Sequence, residues 1–224
     1  MNQKVTDYYN DIADTYDSSR FKNTYGAFID QQERSILNRL LKGVQSKNIL
    51  DIGCGTGRFL EFADYGVDIS SKMIRIAKAK YPTKQLFNES ATDTHFDDCS
   101  FDIIISFHVF MHLDKATMGG ILDEAYRILR KGGKLLFDIP SKKRRNFVGY
   151  KTQGWHGANH LSVTEIKELC DTKWNILNYY GILFLPIHRV PVKLRNKTAV
   201  LDNALCTSFL KEYSSYLLFE LEKR

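Results

Sequence analysis

Polar and apolar positions follow one another along this chain in two rhythms. Over residues 7–17, Tyr8, Tyr9, Ile12, Ala13 and Tyr16 recur at helical spacing, and over 28–41 Ile29, Ile36, Leu37, Leu40 and Leu41 do the same. These spacings predict two leading helices. Short apolar runs then begin. Residues 48–52 are stopped by glycines, 66–69 are followed by Ser70, a good helix N-cap, and 85–88 make a third run. The runs FDIIISF (101–107) and KLLFDI (134–139) are almost wholly apolar, as strands covered on both faces must be. Between the runs the helical period returns. It predicts a brief helix over 58–64, another over 72–80 ended by Pro82, and a third over 114–129 closed by Lys131-Gly132-Gly133.

After Pro140 the rhythm changes. A stretch rich in Lys, Arg, Gly and aromatics over 141–161 reads as a loop, 162–170 and 198–210 as helices, and 175–185 and 213–220 as strands. Strands alternating with helices imply right-handed βαβ units. The expected fold is a doubly wound α/β, mostly parallel seven-stranded sheet with helices on both faces and an antiparallel last strand.

Composition adds bounds to this picture. In 224 residues, 43% hydrophobic residues and 12% aromatics suffice for one core, and no linker or repeat divides the chain, so a single domain over 1–224 is expected. No apolar run reaches the roughly 18 to 20 residues needed to span a bilayer, and the polar start MNQKVTDYYN lacks the apolar segment of a secretory signal. A cytoplasmic protein with no membrane partner is expected. Cys54, Cys99, Cys170 and Cys206 are far apart and form no CxxC, which suits a reducing compartment and a structural role. The net charge of +6 permits an anionic partner without demanding one.

The candidate chemistry starts at ILDIGCGTG, residues 49–57. A glycine-rich first turn lets backbone approach a ligand beyond the carboxyl ends of the strands. The dinucleotide fingerprint GxGxxG needs a third small residue, and counting from Gly53 that position holds Arg58. Asp51 stands two residues upstream of Gly53. Its carboxylate would repel a pyrophosphate and favour a ligand end bearing an ammonium and a sulfonium. The loop therefore leans toward S-adenosylmethionine.

Five segments in order, YYNDIADTYD, ILDIGCGTG, YGVDISSKMIRIAKAK, FDDCSFDIIISFHVFMHL and EAYRILRKGGKLLFDIP, resemble those of class I, Rossmann-like S-adenosylmethionine-dependent methyltransferases. The resemblance runs through most of residues 7–139. It implies that Asp51, Gly53, Gly55 and Gly57 hold the methionine part of the cofactor, that Asp68 accepts the ribose hydroxyls and that Ile69 packs on the adenine. Where the family usually has Gly-Asp-Ala after the third strand, this chain has Glu89-Ser90-Ala91. The adenine contact then falls to Ser90 and Ala91, or to Glu89 through a one-residue shift. Phe107 and His108 should line the cleft between cofactor and acceptor, and His112 falls on a histidine that recurs in the family. Tyr9 and Tyr16 should close over the cofactor, which makes residues 1–45 a lid of leading helices and 141–212 a substrate-side cap. The expected product is S-adenosylhomocysteine.

Methyl transfer asks mainly for positioning, but an oxygen or protonated nitrogen acceptor must also lose a proton, and histidine is suited to take it. His108 is the first candidate base, with His156 or His160 second. The pairs His108/His112 and His156/His160 have an i, i+4 spacing that can serve a metal, but no third ligand stands out in the sequence and no metal is expected. The basic loop at 142–145, together with His188, Arg189, Lys193 and Arg195, suggests a small anionic acceptor, with Arg145, Tyr150, Trp155, His160 and Arg189 as its candidate contacts. A solvated basic face gives the same pattern. The charges and aromatics would also suit RNA, such as tRNA, although no RNA-binding module is appended. A catalytically silent cofactor-binding subunit is a third reading, and monomer and homodimer are both open.

Overall fold

The computed structural model describes residues 3–21, 23–44, 48–152 and 154–224. Residues 1, 2, 22 and 45 of the expected lid segment and Gln153 of the expected cap lie outside them. Helices α1 (Gln3–Ile12), α2 (Tyr16–Arg20) and α3 (Thr24–Leu40) lead into strands β1 (Ile49–Ile52) and β2 (Tyr65–Asp68), helix α4 (Ser71–Lys80) and strands β3 (Gln85–Asn88) and β4 (Phe101–Ser106). Helix α5 (Lys115–Ile128), strand β5 (Leu129–Pro140), helices α6 (Lys142–Phe147) and α7 (Val163–Cys170), strand β6 (Trp174–Ile182), helix α8 (Val192–Thr207) and strand β7 (Tyr216–Lys223) complete the chain. The strands form one sheet in the order β3-β2-β1-β4-β5-β7-β6. β7 runs antiparallel to both neighbours and the remaining pairings are parallel, so the expected doubly wound, seven-stranded sheet is what forms.

Alternation along the central strands shows why the runs had to be apolar throughout. Ile104, Leu135 and Phe137 pack with Met118, Ile121 and Ile166 of α5 and α7 on one face. Their neighbours Ile103, Ile105 and Leu136 pack with Phe28, Leu37 and Ala77 of α3 and α4 on the other. A strand buried on both sides has no polar face to show. The order reverses between β1 and β4, and at that switch point the carboxyl ends of the strands open into a cleft.

Several boundaries differ from the sequence expectation for local reasons. Residues 58–64 are a run of turns held by i to i+3 bonds (Leu60 N to Gly57 O, 3.3 Å; Phe62 N to Phe59 O, 2.9 Å) rather than a helix. The segment needs only to bury Phe59, Leu60 and Ala63 on its way to β2. The first helix starts at Gln3 and breaks after Ile12 into a single 3-10 turn, where the Thr15 hydroxyl donates back to Ile12 O at 3.3 Å. α3 starts at Thr24 because the Asn23 side chain caps it, accepting from Tyr25 N and Gly26 N at 3.1 and 2.8 Å. Residues 131–133 belong to β5 rather than to a helix stop. Ser141 caps a short helix, α6, inside the expected loop. β6 ends at Ile182, before Leu183 at φ +59°, α8 begins at Val192, and β7 begins at Tyr216.

Candidate active site

The glycine loop makes the floor of the cleft. Gly53 N and Cys54 N donate to Val67 O of β2 at 2.8 and 3.1 Å, which draws the chain into a tight turn past β1. Gly53 adopts φ +72°, and a Cβ there would lie 2.2 Å from Val109 Cγ2. Gly55, at φ +53°, has no heavy atom within 4 Å of where its Cβ would be, so its backbone faces open space. Asp68 locks this shape. Its Oδ2 accepts from Gly55 N at 2.9 Å and its Oδ1 from Ser70 N at 2.8 Å, leaving a lone pair on each oxygen.

A largely apolar cavity rises from this floor. Of the expected cofactor residues, Tyr9, Tyr16, Gly53, Gly55, Asp68, Ile69, Ala91, Phe107, His108 and His112 line it. Asp51 lines a smaller adjoining pocket with Gly53, Gly55 and His108. Gly57 and Ser90 line neither. Gly57 packs beneath Tyr81, and the Ser90 hydroxyl pairs with Thr92 Oγ1 at 2.8 Å. Glu89 lines the cavity, with its other contacts to His95. Val67, Met73 and Leu113 add apolar walls.

Two buried acids stand beside the open loop. Burial, with a smaller push from the Asp68 charge, raises the Asp51 carboxyl to about 8, and burial raises Asp68 to about 6 against the two backbone N–H groups it accepts from. Acids that hold their protons this tightly near neutrality gain from a cationic neighbour. An open glycine cradle, carboxylate oxygens with spare lone pairs and an apolar shelf fit S-adenosylmethionine, whose sulfonium and ammonium would supply that charge.

His108 follows β4 by two residues and adopts φ +58°, unusual for a residue with a Cβ. Its N–H donates to Asp138 Oδ1 at 2.5 Å. Its ring is clamped: Nε2 stands 2.9 Å from Glu33 Oε1 and Nδ1 stands 3.5 Å from Asp138 Oδ2. Burial pushes the imidazole down to about 4, although Asp138 pulls it upward. Glu33 in turn pairs with the Arg58 guanidinium, whose Nε donates to Asp30 at 2.9 Å and whose plane lies between Phe21 and Phe59. Arg58 thus fills the place where a dinucleotide fold needs a small residue. Glu33, His108 and Asp138 offer atoms of the kind a cation takes, all within 4.8 Å of one another, but the two carboxylates face opposite nitrogens of one ring.

Beyond His108 the cleft continues into two cavities on the acceptor side. Arg20, Tyr25, Met111, His156 and Tyr216 line both. Arg20 lies 3.3 Å from both Tyr8 Oη and His156 Nε2. His112 accepts from Gly157 N at 2.9 Å, and its ring lies 4.3 Å from that of His156. Burial lowers both imidazoles, His112 to about 3. Arg145, Tyr150 and Arg189, the expected substrate contacts, line the outer cavity. Trp155 and His160 stand behind it: Trp155 packs edge-on against Tyr8 at 5.4 Å, and His160 Nδ1 lies 3.2 Å from Arg145. Sequence reasoning missed Glu33, Asp138 and Arg20. A signal existed for two of them, since Glu33 sits on the apolar stripe of α3 and Asp138 interrupts an apolar strand.

Residues 50–137 match the family described as "Methyltransferase domain". The structure resembles a crystal structure of an S-adenosylmethionine-dependent methyltransferase, a possible histamine N-methyltransferase, from Thermotoga maritima, with a TM-score of 0.70, 21% identity and coverage of 96% of this chain and 98% of that one. Residues 50–137 thus carry a methyltransferase domain, on a fold shared with solved S-adenosylmethionine-dependent methyltransferases. An uncharacterized protein of Methanocaldococcus jannaschii is 28% identical over 98% of this chain and 90% of its own length. A Campylobacter jejuni ubiquinone/menaquinone biosynthesis C-methyltransferase is 26% identical over 65% of this chain and 68% of its own. Among the described residues no helix is long and apolar enough to cross a membrane.

Proposed function

We propose that this methyltransferase transfers its methyl group to an oxygen or nitrogen atom of a small anionic metabolite. One observation carries the reading. Among the described residues no Asp or Glu lines either acceptor-side cavity, whereas Arg20, Arg144, Arg145 and Arg189 do, and none of the four forms an ion pair. Guanidinium groups left without carboxylate partners around a cavity suit a carboxylate or phosphate on its occupant. Tyr25, Tyr150 and Tyr216 offer flat walls for the rest of the molecule.

When bound, the cofactor supplies an electrophilic methyl group on a sulfonium. The chain's task is to hold the acceptor lone pair in line within a cavity that excludes water, and positioning of this kind is worth on the order of 7–11 kcal/mol in favourable cases. Tyr9 and Tyr16, which line both the cofactor cavity and the first acceptor cavity, form the partition between the two ligands. Of the two leading candidate bases, His156 has the freer ring: it is half-buried and held neutral by burial and by Arg20. His108, faced by a carboxylate at each nitrogen, shapes the wall and can pass a proton to Glu33 or Asp138.

The test is transfer of labelled methyl into separate pools of anionic metabolites and of tRNA. Label is expected in carboxylate- or phosphate-bearing small molecules, and Arg20→Ala should raise KM for the acceptor far more than it lowers kcat. Label in tRNA would overturn the small-molecule reading. Label in neither pool, with cofactor binding intact, would favour a cofactor-binding subunit acting through a partner.

A further inference from the structure

The large apolar side chains that reach solvent are not scattered. Among the described residues all but Leu177 fall within 147–150 and 192–209, and Phe147, Val200 and Phe209 are 72%, 79% and 92% exposed. Both segments pack on the turn at residues 211–213. The Phe147 ring packs edge-on 5.6 Å from Tyr213, at the end of the turn that begins two residues after Phe209, and Phe147, Val148 and Tyr150 share the rim of the outer cavity with Arg189. A patch of this kind, at the mouth of a cleft, marks an interaction surface.

Charge says what kind of partner it fits. Residues 142–151 contain five lysines and arginines and residues 189–197 contain four, with no Asp or Glu in either segment; Lys142 and Lys143 pair with Glu165 and Glu212, and the other seven form no ion pair among the described residues. A second copy of this chain docking face to face would set these cations against one another. The excess of positive charge suits an anionic partner, and the apolar residues choose among such partners. Five of the eight exposed apolar side chains in the two segments, Val148, Val192, Leu194, Val200 and Leu201, are aliphatic and have no π face on which a base could stack, while Phe147, Tyr150 and Phe209 suit a lipid interface as well as a base. Aliphatic side chains among lysines are what an interfacial surface presents to acyl chains and anionic headgroups.

We propose that the face built from α6 and α8 docks on an anionic phospholipid surface. Phe147, Val148, Val200 and Leu201 enter the interface and Lys193 and Lys197 meet the headgroups. The sequence suggested no membrane partner, but surface docking needs no spanning helix. The proposal relies on the acceptor-side reading only in that the outer cavity opens on the same face, so a different methyl acceptor would leave it standing.

Flotation of the full chain with phosphatidylcholine vesicles, with and without phosphatidylglycerol, tests it. Binding is expected only to the phosphatidylglycerol vesicles, weakening as salt rises. Lys193→Ala/Lys197→Ala should lower affinity roughly fivefold per lysine, and Phe147→Ser/Val148→Ser should abolish flotation. Unchanged thermal stabilisation by S-adenosylhomocysteine would show that both variants fold. Three results would overturn the proposal: no binding to phosphatidylglycerol vesicles, equal binding to both vesicle types, or a wild-type dimer that the Phe147/Val148 variant splits while vesicles are ignored. Preferential binding of tRNA that displaces the protein from vesicles would also overturn it.

Discussion

Replacing Asp68 by Asn separates what this carboxylate costs the fold from what it does for the cofactor. Burial raises its pKa from 3.8 to about 6, a shift of roughly 2 units that corresponds to about 3 kcal/mol of stability forfeited once pH exceeds both values. The sign follows from the direction: the folded state holds the proton more tightly than the unfolded chain, so stability falls as pH rises from about 4 to about 6. Asn removes that penalty. It keeps one carbonyl for the N–H of Gly55 or of Ser70 and leaves the other donor unsatisfied, at roughly 1–3 kcal/mol. The two effects nearly cancel, so Tm at pH 7 should stay within about 5 °C of wild type. Binding should not be spared. Two charge-assisted hydrogen bonds to ribose, each worth about 1.5–3 kcal/mol, would be lost or weakened, and S-adenosylhomocysteine affinity should fall by at least about 100-fold in calorimetric titration. A variant that binds with wild-type affinity, or that is unfolded at pH 7, would refute the reasoning.

Three further outcomes are expected. Gly53→Ala combines φ +72° with a Cβ 2.2 Å from Val109 Cγ2, so it should abolish cofactor binding and lower Tm. Adding Val109→Ala should recover part of the Tm but not the strain in φ, and full recovery would show that φ does not matter there. Between about pH 6 and pH 8, where Asp68 and then Asp51 lose their protons, affinity for S-adenosylmethionine should rise faster than affinity for uncharged-sulfur S-adenosylhomocysteine; a constant ratio in titrations across that range would contradict the electrostatic reading of the loop. His108 should titrate by NMR near 4, so its burial costs stability as pH falls from 6.5 toward 4 while the unfolded chain takes up a proton; a measured value at or above 6.5 would show the ring is charged between its two carboxylates.

What could be read from the sequence and what could not divides along the range of the interactions involved. The apolar runs of β4 and β5, the glycines at 53 and 55 and Asp68 carry local signals: a buried period, a turn that only glycine enters readily, an acid at a strand end. Each could be read from its own stretch of chain, and each lines or supports the cavity above the glycine loop. The single helix expected over 7–17 failed at Ala13, because periodicity reports which side is buried and not whether Thr15 will bond back to Ile12 and tighten the turn. The acceptor side was legible only in part. His156 and the basic loop at 142–145 were named, but Arg20 and Tyr216, from α2 and β7, meet them only through long-range packing, so no window of the chain contains their arrangement. Glu33 and Asp138 mark the boundary between the two cases. Each is a charge placed where the period calls for an apolar side chain, and a buried charge needs a partner. The sequence therefore states that Glu33 and Asp138 must be answered by something, and His108, 75 residues from one and 30 from the other, answers both.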